Sequence, residues 1–206
     1  MELVGQQPNA AQRRIYQAAM RLFAQRGSAD ISISDLAEAA GVARGTIYNN
    51  IAAPDRLFEE VSTRLATEMN QSVVAVTQDQ EDLALRFAIG IRLYVRRAHE
   101  QPDWGRFLVR FGLASDLVRA LWDDSHPMRD LQRGMQSRRF DLSAEQARGA
   151  IGLTAGTTLT AILLVLDGLR TWRDAGSDAA ELVLRALGVE ASEAAALSRT
   201  ELPEGV

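Results

Sequence analysis

Residues 32–48, Ser-Ile-Ser-Asp-Leu-Ala-Glu-Ala-Ala-Gly-Val-Ala-Arg-Gly-Thr-Ile-Tyr, decide the fold of this 206-residue chain. Ser32 is followed three positions later by Asp35, a capping-box spacing that predicts the start of a short helix. Gly41 is expected to end that helix. A second short helix is expected over Arg44–Asn50. Two short helices joined by a tight glycine turn are the pattern of a helix-turn-helix.

The two short helices also carry the apolar and polar residues that a helix-turn-helix needs. Ala37 is a small residue where the helices cross, and Leu36 and Ile47 are apolar anchors. The second helix must present polar side chains to a DNA major groove. Its outward-facing polar residues are Arg44, Thr46, Tyr48, Asn49 and Asn50. Spacing alone leaves a second interpretation open, because a helical hairpin in any bundle has a similar pattern.

Apolar residues recur with a spacing near 3.6 along the rest of the chain, which predicts an all-α fold. We expect an N-terminal three-helix domain over residues 1–58 and a larger helical domain over residues 59–206. Asn9 and Gln12 form a capping box for the first helix. Pro127 is expected to interrupt the chain. The expected helices outside the helix-turn-helix are 10–26, 54–78, 83–100, 104–121, 143–170, 178–187 and 192–199.

Composition excludes several classes of function. The net charge is −4, and 47% of the residues are hydrophobic. Cysteine is absent, which excludes disulfides, thiolate zinc sites and a cysteine nucleophile. We find no nucleophile elbow, phosphate loop or His-Glu metal motif, so the sequence predicts no enzyme, no cofactor and no metal site. The first seven residues lack the features of a signal peptide, which predicts a cytoplasmic protein.

Residues 149–166 contain no charged side chain, and eighteen residues is the lower limit for a membrane span. Threonine and glycine dilute the apolar character of this stretch, so a helix buried on nearly all sides is the preferred interpretation. Gly149, Gly152 and Gly156 are spaced to let a second helix approach closely. We therefore expect no membrane partner, and a subunit interface formed by residues 143–172 with the final helices.

Two stretches resemble one known family. Residues 14–27, Arg-Ile-Tyr-Gln-Ala-Ala-Met-Arg-Leu-Phe-Ala-Gln-Arg-Gly, resemble the first helix of TetR-type (tetracycline-repressor-like) transcriptional regulators. Residues 33–48 are similar to the second and third helices of that family. The resemblance implies a homodimeric regulator, usually a repressor, that binds double-stranded operator DNA. It also implies an unknown small apolar effector, whose binding to the C-terminal domain releases the operator.

The resemblance implies which residues bind DNA. Arg44 and Asn49 are expected at base edges, where Arg pairs with guanine and Asn with adenine. Thr46 and Tyr48 are expected at phosphates, and Gly45 leaves room for the DNA backbone. The expected DNA-binding residues are Ser34, Ala43, Arg44, Gly45, Thr46, Tyr48, Asn49 and Asn50.

The sequence departs from the family at two places that matter for DNA binding. Ala43 stands where the family usually has Ser, so the third helix is expected to lack its side-chain cap. Ala53-Pro54-Asp55 stands where the family often has Ser-Lys-Glu. The missing Lys removes a phosphate contact and predicts a shallower salt dependence of operator binding.

Residues 86–139 are rich in aromatic residues and hold eleven arginines against six acids. An aromatic-rich helical region suits an effector pocket, although for any single aromatic residue a place in the core is the more common outcome. The candidate ligand-binding residues are Trp104, Phe107, Phe111 and Trp122. Arg96-Arg97 and Arg138-Arg139 are interpreted as solvated faces. Two alternatives to a regulator remain: a helical enzyme for a small apolar substrate, and a helical scaffold.

Overall fold

The structure is a computed structural model that describes residues 8–112 and 125–203. All regular structure in these two ranges is helical, as the sequence predicts. Short 3-10 turns precede two of the helices, at Pro54–Arg56 and Ala144–Gln146. The α-helices are α1 (Ala10–Arg26), α2 (Ile33–Ala40), α3 (Arg44–Asn50), α4 (Leu57–Thr77), α5 (Leu83–Glu100), α6 (Pro102–Phe111), α7 (His126–Gln136), α8 (Ala147–Leu166), α9 (Trp172–Ala186) and α10 (Ala191–Arg199).

The chain divides into two compact units, Met1–Leu65 and Ala66–Val206. The division falls inside α4, so both units contain part of this helix. The domain boundary expected between residues 58 and 59 stays a prediction.

In the first unit, α1 packs against α2 and α3. Asn9 caps α1, since its side chain accepts a hydrogen bond from the Gln12 amide and the Gln12 side chain accepts one from the Asn9 amide. Gly27 ends the helix in the left-handed conformation, with φ of 68°. The core between the three helices contains fully buried side chains of Ile15, Phe23, Leu36 and Ile47.

The turn between α2 and α3 forms as the sequence predicts. The Ser32 hydroxyl accepts a hydrogen bond from the Asp35 amide at the start of α2. Gly41 follows α2 with φ of 63°, a conformation that strains residues with a side chain. Ala43 is the N-cap of α3 and makes no side-chain capping bond, which confirms the expected missing cap.

In the second unit, α5 lies at the centre and packs against α6, α7, α8, α9 and α10. Helix α9 also packs against α8 and α10. Apolar side chains fill the space between these helices, because each helix turns one apolar face toward α5. The largest fully buried side chains of this unit include Trp104, Phe107, Leu131, Ile162 and Leu184.

The helix boundaries of the second unit differ from the sequence predictions at three places. Helix α7, which the sequence predictions do not include, begins at His126; Pro127 lies in its first turn, after the N-cap Ser125, where its missing amide hydrogen costs nothing. Helix α8 ends at Leu166 instead of near residue 170, because Gly168 takes the left-handed conformation (φ of 70°). Thr171 then caps α9, which begins six residues earlier than expected.

The expected helix over residues 104–121 is present as α6 up to Phe111. Its continuation to residue 121 lies outside the described residues.

Helix α8 is less covered by its own chain than the sequence predicts. Residues 144–166 form a helical stretch that is long and apolar enough, by length and composition, to cross a membrane, and only 28% of its most apolar 18 residues is buried. Leu153 and Leu163 are exposed. A Cβ atom added at Gly149, Gly152 or Gly156 would have no atom within 4 Å apart from the neighbouring backbone of α8 itself. One face of α8 is therefore open in the single chain, and burial on nearly all sides stays a prediction for the expected subunit interface.

Candidate nucleic-acid interface and ligand cavity

Helix α3 has one buried side and one exposed polar side. Ile47 is fully buried in the core of the first unit, whereas Tyr48 is 62% exposed. Arg44 and Asn49 are also exposed. These side chains offer a guanidinium, a phenol hydroxyl and an amide to a partner in solvent, and these groups can hydrogen-bond to bases and phosphates.

The other expected DNA-binding residues surround this surface. Ala43 and Gly45 are exposed at the start of α3, and Thr46 is half-buried. Ser34 is half-buried in the first turn of α2. Their assignment to DNA stays a prediction.

Asn50 differs from its neighbours because its side chain has partners inside the unit. Its amide nitrogen donates to the Thr46 carbonyl at 2.8 Å, and its amide oxygen accepts from Asn9 at 3.0 Å. The Gln12 side chain donates to the Asn50 carbonyl at 3.1 Å. The start of α1 therefore holds the end of α3 in place, and no pattern in the sequence predicts this contact.

The first half of α4 is fastened to α1 by three side-chain contacts. Tyr16 donates a hydrogen bond to Glu60 at 3.3 Å, and the Arg64 guanidinium lies 5.3 Å from the centre of the Tyr16 ring. The Phe23 and Phe58 rings meet edge to face at 5.2 Å. Burial, followed by the Glu60 charge, raises the pKa of Tyr16, so this phenol remains a donor at neutral pH.

The second unit contains a cavity of about 370 Å³ between the second half of α4 and the end of α5. Helix α4 lines it with side chains that include Met69, Ser72 and Val76, and α5 with Leu93, Arg97 and Glu100. A volume near the low end of the ligand-pocket range, about 300–1,000 Å³, fits a small molecule.

The aromatic residues that the sequence nominates for ligand binding lie elsewhere in the second unit. Trp104 and Phe107 are buried in the core, and Phe111 is half-buried with its ring 5.2 Å from that of Phe107. None of these three lines the cavity between α4 and α5. Trp122 lies outside the described residues. The role of all four in ligand binding stays a prediction.

Arg97 does not lie on a solvated face, contrary to the sequence interpretation. Its side chain is 21% exposed, and its guanidinium lies 5.1 Å from the centre of the Trp104 ring. The signal for this placement is present in the sequence, because Arg97 follows the buried Leu93 by four positions and so shares its helix face.

Tyr94 packs against the same Trp104 ring, with 5.8 Å between ring centres. Burial raises the pKa of Tyr94 to about 12. The Tyr94 phenol is therefore neutral at physiological pH.

Arg139 also forms ion pairs within the unit and does not lie on a solvated face. Its guanidinium binds both carboxylate oxygens of Asp82, at 2.9 and 3.0 Å, and also binds Glu193 at 2.8 Å. This cluster joins the start of α5, the segment after α7 and the start of α10. Arg138, its neighbour, is exposed as expected.

The fold and the exposed face of α3 define an all-helical, two-unit protein of the helix-turn-helix class. Residues 15–61 match the family described as bacterial regulatory proteins, tetR family. Residues 82–200 match the tetracyclin repressor-like C-terminal domain. The chain therefore belongs to the TetR family.

Solved structures of the same fold support this assignment. The structure of RolR in complex with the ligand resorcinol superposes with a TM-score of 0.70 at 28% identity, covering 94% of this chain and 95% of RolR. A tetR-family regulator from Shewanella sp. PV-4 superposes with a TM-score of 0.73 at 18% identity, covering 87% of this chain and 98% of that protein, and shows the fold alone.

Curated relatives match over shorter stretches. An uncharacterised HTH-type transcriptional regulator of Mycobacterium tuberculosis is 29% identical over 89 residues, which are 43% of this chain and 44% of the relative. AcrR of Shigella flexneri is 38% identical over 56 residues, or 27% of this chain and 26% of AcrR. The chain thus spans less than half the length of the curated relatives it matches.

Proposed function

We propose that this chain is a ligand-responsive, DNA-binding transcriptional regulator that acts in the cytoplasm as a repressor. The observation that carries the proposal is the polar, exposed face of α3 on a buried apolar anchor, in a chain of the TetR family. No catalytic constellation accompanies this face in the sequence, so we assign the chain a regulatory rather than an enzymatic role.

Residues 1–58 form the proposed DNA-binding domain. Arg44 and Asn49 read base edges, while Thr46 and Tyr48 contact phosphates, with Ser34, Ala43 and Gly45 against the DNA backbone. The internal hydrogen bonds of Asn50 favour a role in positioning α3, in addition to any contact that Asn50 makes with DNA.

Residues 59–206 form the proposed effector-binding and dimerisation domain. RolR, 28% identical over nearly its whole length, has been solved with the small aromatic molecule resorcinol bound. This likeness and the cavity between α4 and α5 support a small-molecule effector for this chain.

The proposed active form is a homodimer. Leu153 and Leu163 on α8 and Leu182 on α9 are exposed, and the glycine positions of α8 have open space above them. An exposed apolar helix face with room for close approach supports a helix-to-helix subunit contact. A dimer then presents two copies of α3 to two half-sites of one operator.

Regulation follows as a shift between two states of the dimer. An effector releases the operator only when it binds the two states unequally. Helix α4 contributes its first half to one unit and its second half to the other, so we assign it the role of lever.

Selection of bound fragments from random duplex DNA tests the proposal. We expect enrichment of an inverted repeat whose half-site centres lie about one helical turn apart or somewhat more. A chain that enriches no sequence, or only an isolated half-site, contradicts the proposed dimeric regulator.

A further inference from the structure

We infer that the cavity between α4 and α5 binds a small anionic molecule, an apolar body carrying one carboxylate, and that Arg97 holds the carboxylate. The inference rests on the proposed function, because it names the chemical class of the effector. It is carried by the unmet hydrogen-bonding capacity of Arg97, by the Trp104 ring that packs against its guanidinium, and by the aliphatic part of the cavity lining.

Arg97 is a largely buried cation whose hydrogen bonds are poorly satisfied. Its Nε is buried and has no hydrogen-bond partner. Its Nη1 faces the Met69 sulfur at 3.8 Å, a weak acceptor, and its Nη2 is 3.7 Å from the Glu68 carboxylate, beyond hydrogen-bond length. A buried donor without an acceptor is costly, so a carboxylate that reaches this guanidinium gains more than it would at a surface arginine.

The neighbouring Arg96 does not compete for the same role. Its Nε donates to Glu100 at 2.8 Å, one helical turn along α5, so part of its donor fork is already engaged by a carboxylate. Both arginines line the cavity, and they differ at Nε: that of Arg96 donates to a carboxylate, whereas that of Arg97 is buried without a hydrogen-bond partner.

Trp104 holds the guanidinium of Arg97 in a fixed plane. The Arg97 cation lies over the Trp104 ring, and the Tyr94 ring packs against the same indole. Because the indole is in the core, the guanidinium has little freedom to turn away. A guanidinium held in one plane is ready for two parallel hydrogen bonds to a carboxylate.

The cavity lining is mixed: Ser72, Glu100 and Gln101 are polar, and an aliphatic part beside Arg97 suits an apolar body of limited size. Met69, Val76 and Leu93 provide aliphatic and thioether surface beside Arg97. At 370 Å³ the cavity is close to the lower limit of ligand pockets, which favours a single ring or a short branched chain.

Binding of a carboxylate to Arg97 has a direct consequence for α4. In the free chain, Arg97 faces two successive α4 residues, Glu68 and Met69. An added carboxylate takes the guanidinium from Glu68 and places two negative charges near each other. The effector therefore changes the contact between α5 and the same helix whose first half is fastened to α1.

Calorimetric titration of the full-length chain tests the inference with matched pairs of probes. Benzoate is compared with benzamide, and 4-methylpentanoate with 4-methylpentanamide, at neutral pH. We expect at least one carboxylate to bind about tenfold or more tightly than its neutral amide, the size expected for a buried charged hydrogen bond.

Four variants assign the preference to named residues. Arg97→Gln is expected to abolish the carboxylate preference, and Arg97→Lys to retain part of it through its charge alone. Glu68→Gln is expected to tighten carboxylate binding several-fold, because it removes the internal competitor. Arg106→Gln, which removes an exposed arginine that does not line the cavity, is the control and should behave as wild type.

Equal binding of acid and amide, no binding of either acid, or a carboxylate preference that survives in folded Arg97→Gln overturns the inference. Circular dichroism reports folding, and Arg97→Lys provides the test where Arg97→Gln does not fold. The DNA selection is independent of these titrations. If the chain selects an operator but shows no carboxylate preference, only the assignment of Arg97 is overturned. If it shows the carboxylate preference but selects no operator, only the proposed regulatory function is overturned.

Discussion

Arg44 is the residue on which base recognition is proposed to depend. It is exposed at the first position of α3 and carries the fork of donors that matches the guanine edge in a major groove. The proposed contact with a base rather than a phosphate stays a prediction, which substitution of this residue can test.

Replacing Arg44 should therefore change which sequences are bound. Arg44→Ala is expected to lose about 1–3 kcal/mol of operator affinity and to relax preference at one base pair of each half-site. Arg21→Ala removes an exposed arginine from α1 and serves as the charge-matched control. Competition binding against operators with single base changes measures the effect, and an unchanged preference order in Arg44→Ala contradicts base reading by this residue.

Residue identity allowed the exposed polar face of α3 to be predicted, but not the role of Arg97. Capping residues and glycines act locally, so their positions at Ser32 and Gly41 follow from the sequence alone. The placement of Arg97 depends on Trp104, which belongs to the next helix. The sequence does not show which residues of two helices meet, so this contact could not be predicted.

At the scale of elements, α3 is a short helix with little stability of its own. It has seven residues and no side-chain cap, and an isolated helix of that length does not persist in water. Its geometry depends on packing against α1 and α2 and on the contacts that Asn9 and Gln12 make with Asn50.

Loss of the Asn50 side chain should weaken DNA binding without changing sequence preference. Asn50→Ala removes two hydrogen bonds that fix the end of α3, at a cost of about 1 kcal/mol to folding. The affinity of Asn50→Ala for DNA should fall by the same factor for the preferred operator and for operators with single base changes. In a double-mutant cycle with Asn9→Ala, the two substitutions should be non-additive. Altered base preference in Asn50→Ala, with an unchanged unfolding midpoint, would show instead that Asn50 reads a base.

The contact of Asp82 with Arg139 makes the second unit sensitive to acid. Burial acts to raise the pKa of Asp82, but hydrogen bonds from Arg139 and from the Ala84 amide outweigh it and hold that pKa below its ordinary value. A lowered pKa in the folded state means that the ionised form stabilises the fold. This stabilisation is complete above the ordinary pKa of Asp, about 3.9, and is lost as the pH falls through the lower folded pKa.

Asp82→Asn should show this pH dependence. Asparagine still caps α5, so the substitution removes mainly the ion pair with the partly exposed Arg139, worth about 0.5–1 kcal/mol at pH 7. The difference in the free energy of unfolding between wild type and variant should shrink as the pH falls below the ordinary pKa of an aspartate. Asp141→Asn, an exposed position nearby, is the control in urea denaturation. A difference that is constant from neutral to acid pH would exclude the ion pair as its cause.

The sequence predicted the bounds of three helices, with or without a side-chain cap, but missed α7 and the start of α9 although a side chain caps each of them. The bounds of α1, α3 and α5 agree with the sequence predictions. Helix α7 was missed because Pro127 either ends one helix or begins the next, and the deciding signal was the N-cap Ser125 before it.

At the scale of the whole molecule, the proposed dimer should depend on the open face of α8. Leu163→Arg places a charge on this face, where Leu163 is 43% exposed in the single chain. We expect a folded monomer that loses tight operator binding, measured by sedimentation and DNA binding. Leu159→Arg is also expected to yield monomers, but Leu159 packs toward Gly112 within the unit, so this variant perturbs the fold as well.

The control for Leu163→Arg is Gln132→Arg, which places an arginine at an exposed site on α7 and should remain dimeric. A Leu163→Arg variant that sediments as a dimer would show that the interface lies elsewhere.

The salt dependence of operator binding should be shallower than in a family member that retains Lys at the position of Pro54. The slope of log affinity against log salt falls by about 0.9 for each phosphate that the protein does not neutralise. Titration of operator affinity from low to moderate salt, with Pro54→Lys as the comparison, measures the difference. Equal slopes for the two proteins would mean that another cation neutralises the same phosphate.

The all-helical fold and the helix-turn-helix could be predicted because both follow from local periodicity, caps and glycines. The division inside α4 and the cavity beside α5 could not, since both depend on how distant helices pack. The open face of α8 was predicted as buried because the sequence shows how apolar a helix is, but not whether its own chain or another copy covers it.

The glycines of α8 also link the abundance of this protein to its lifetime. Each glycine costs a helix about 1 kcal/mol relative to alanine, and at these three positions the single chain offers no neighbouring atoms in return. In the proposed dimer the second copy provides that compensation, so by mass action each chain becomes harder to unfold as its concentration rises. Newly made chains would then be digested readily while scarce and persist once plentiful, which gives their accumulation a threshold without any dedicated degradation signal.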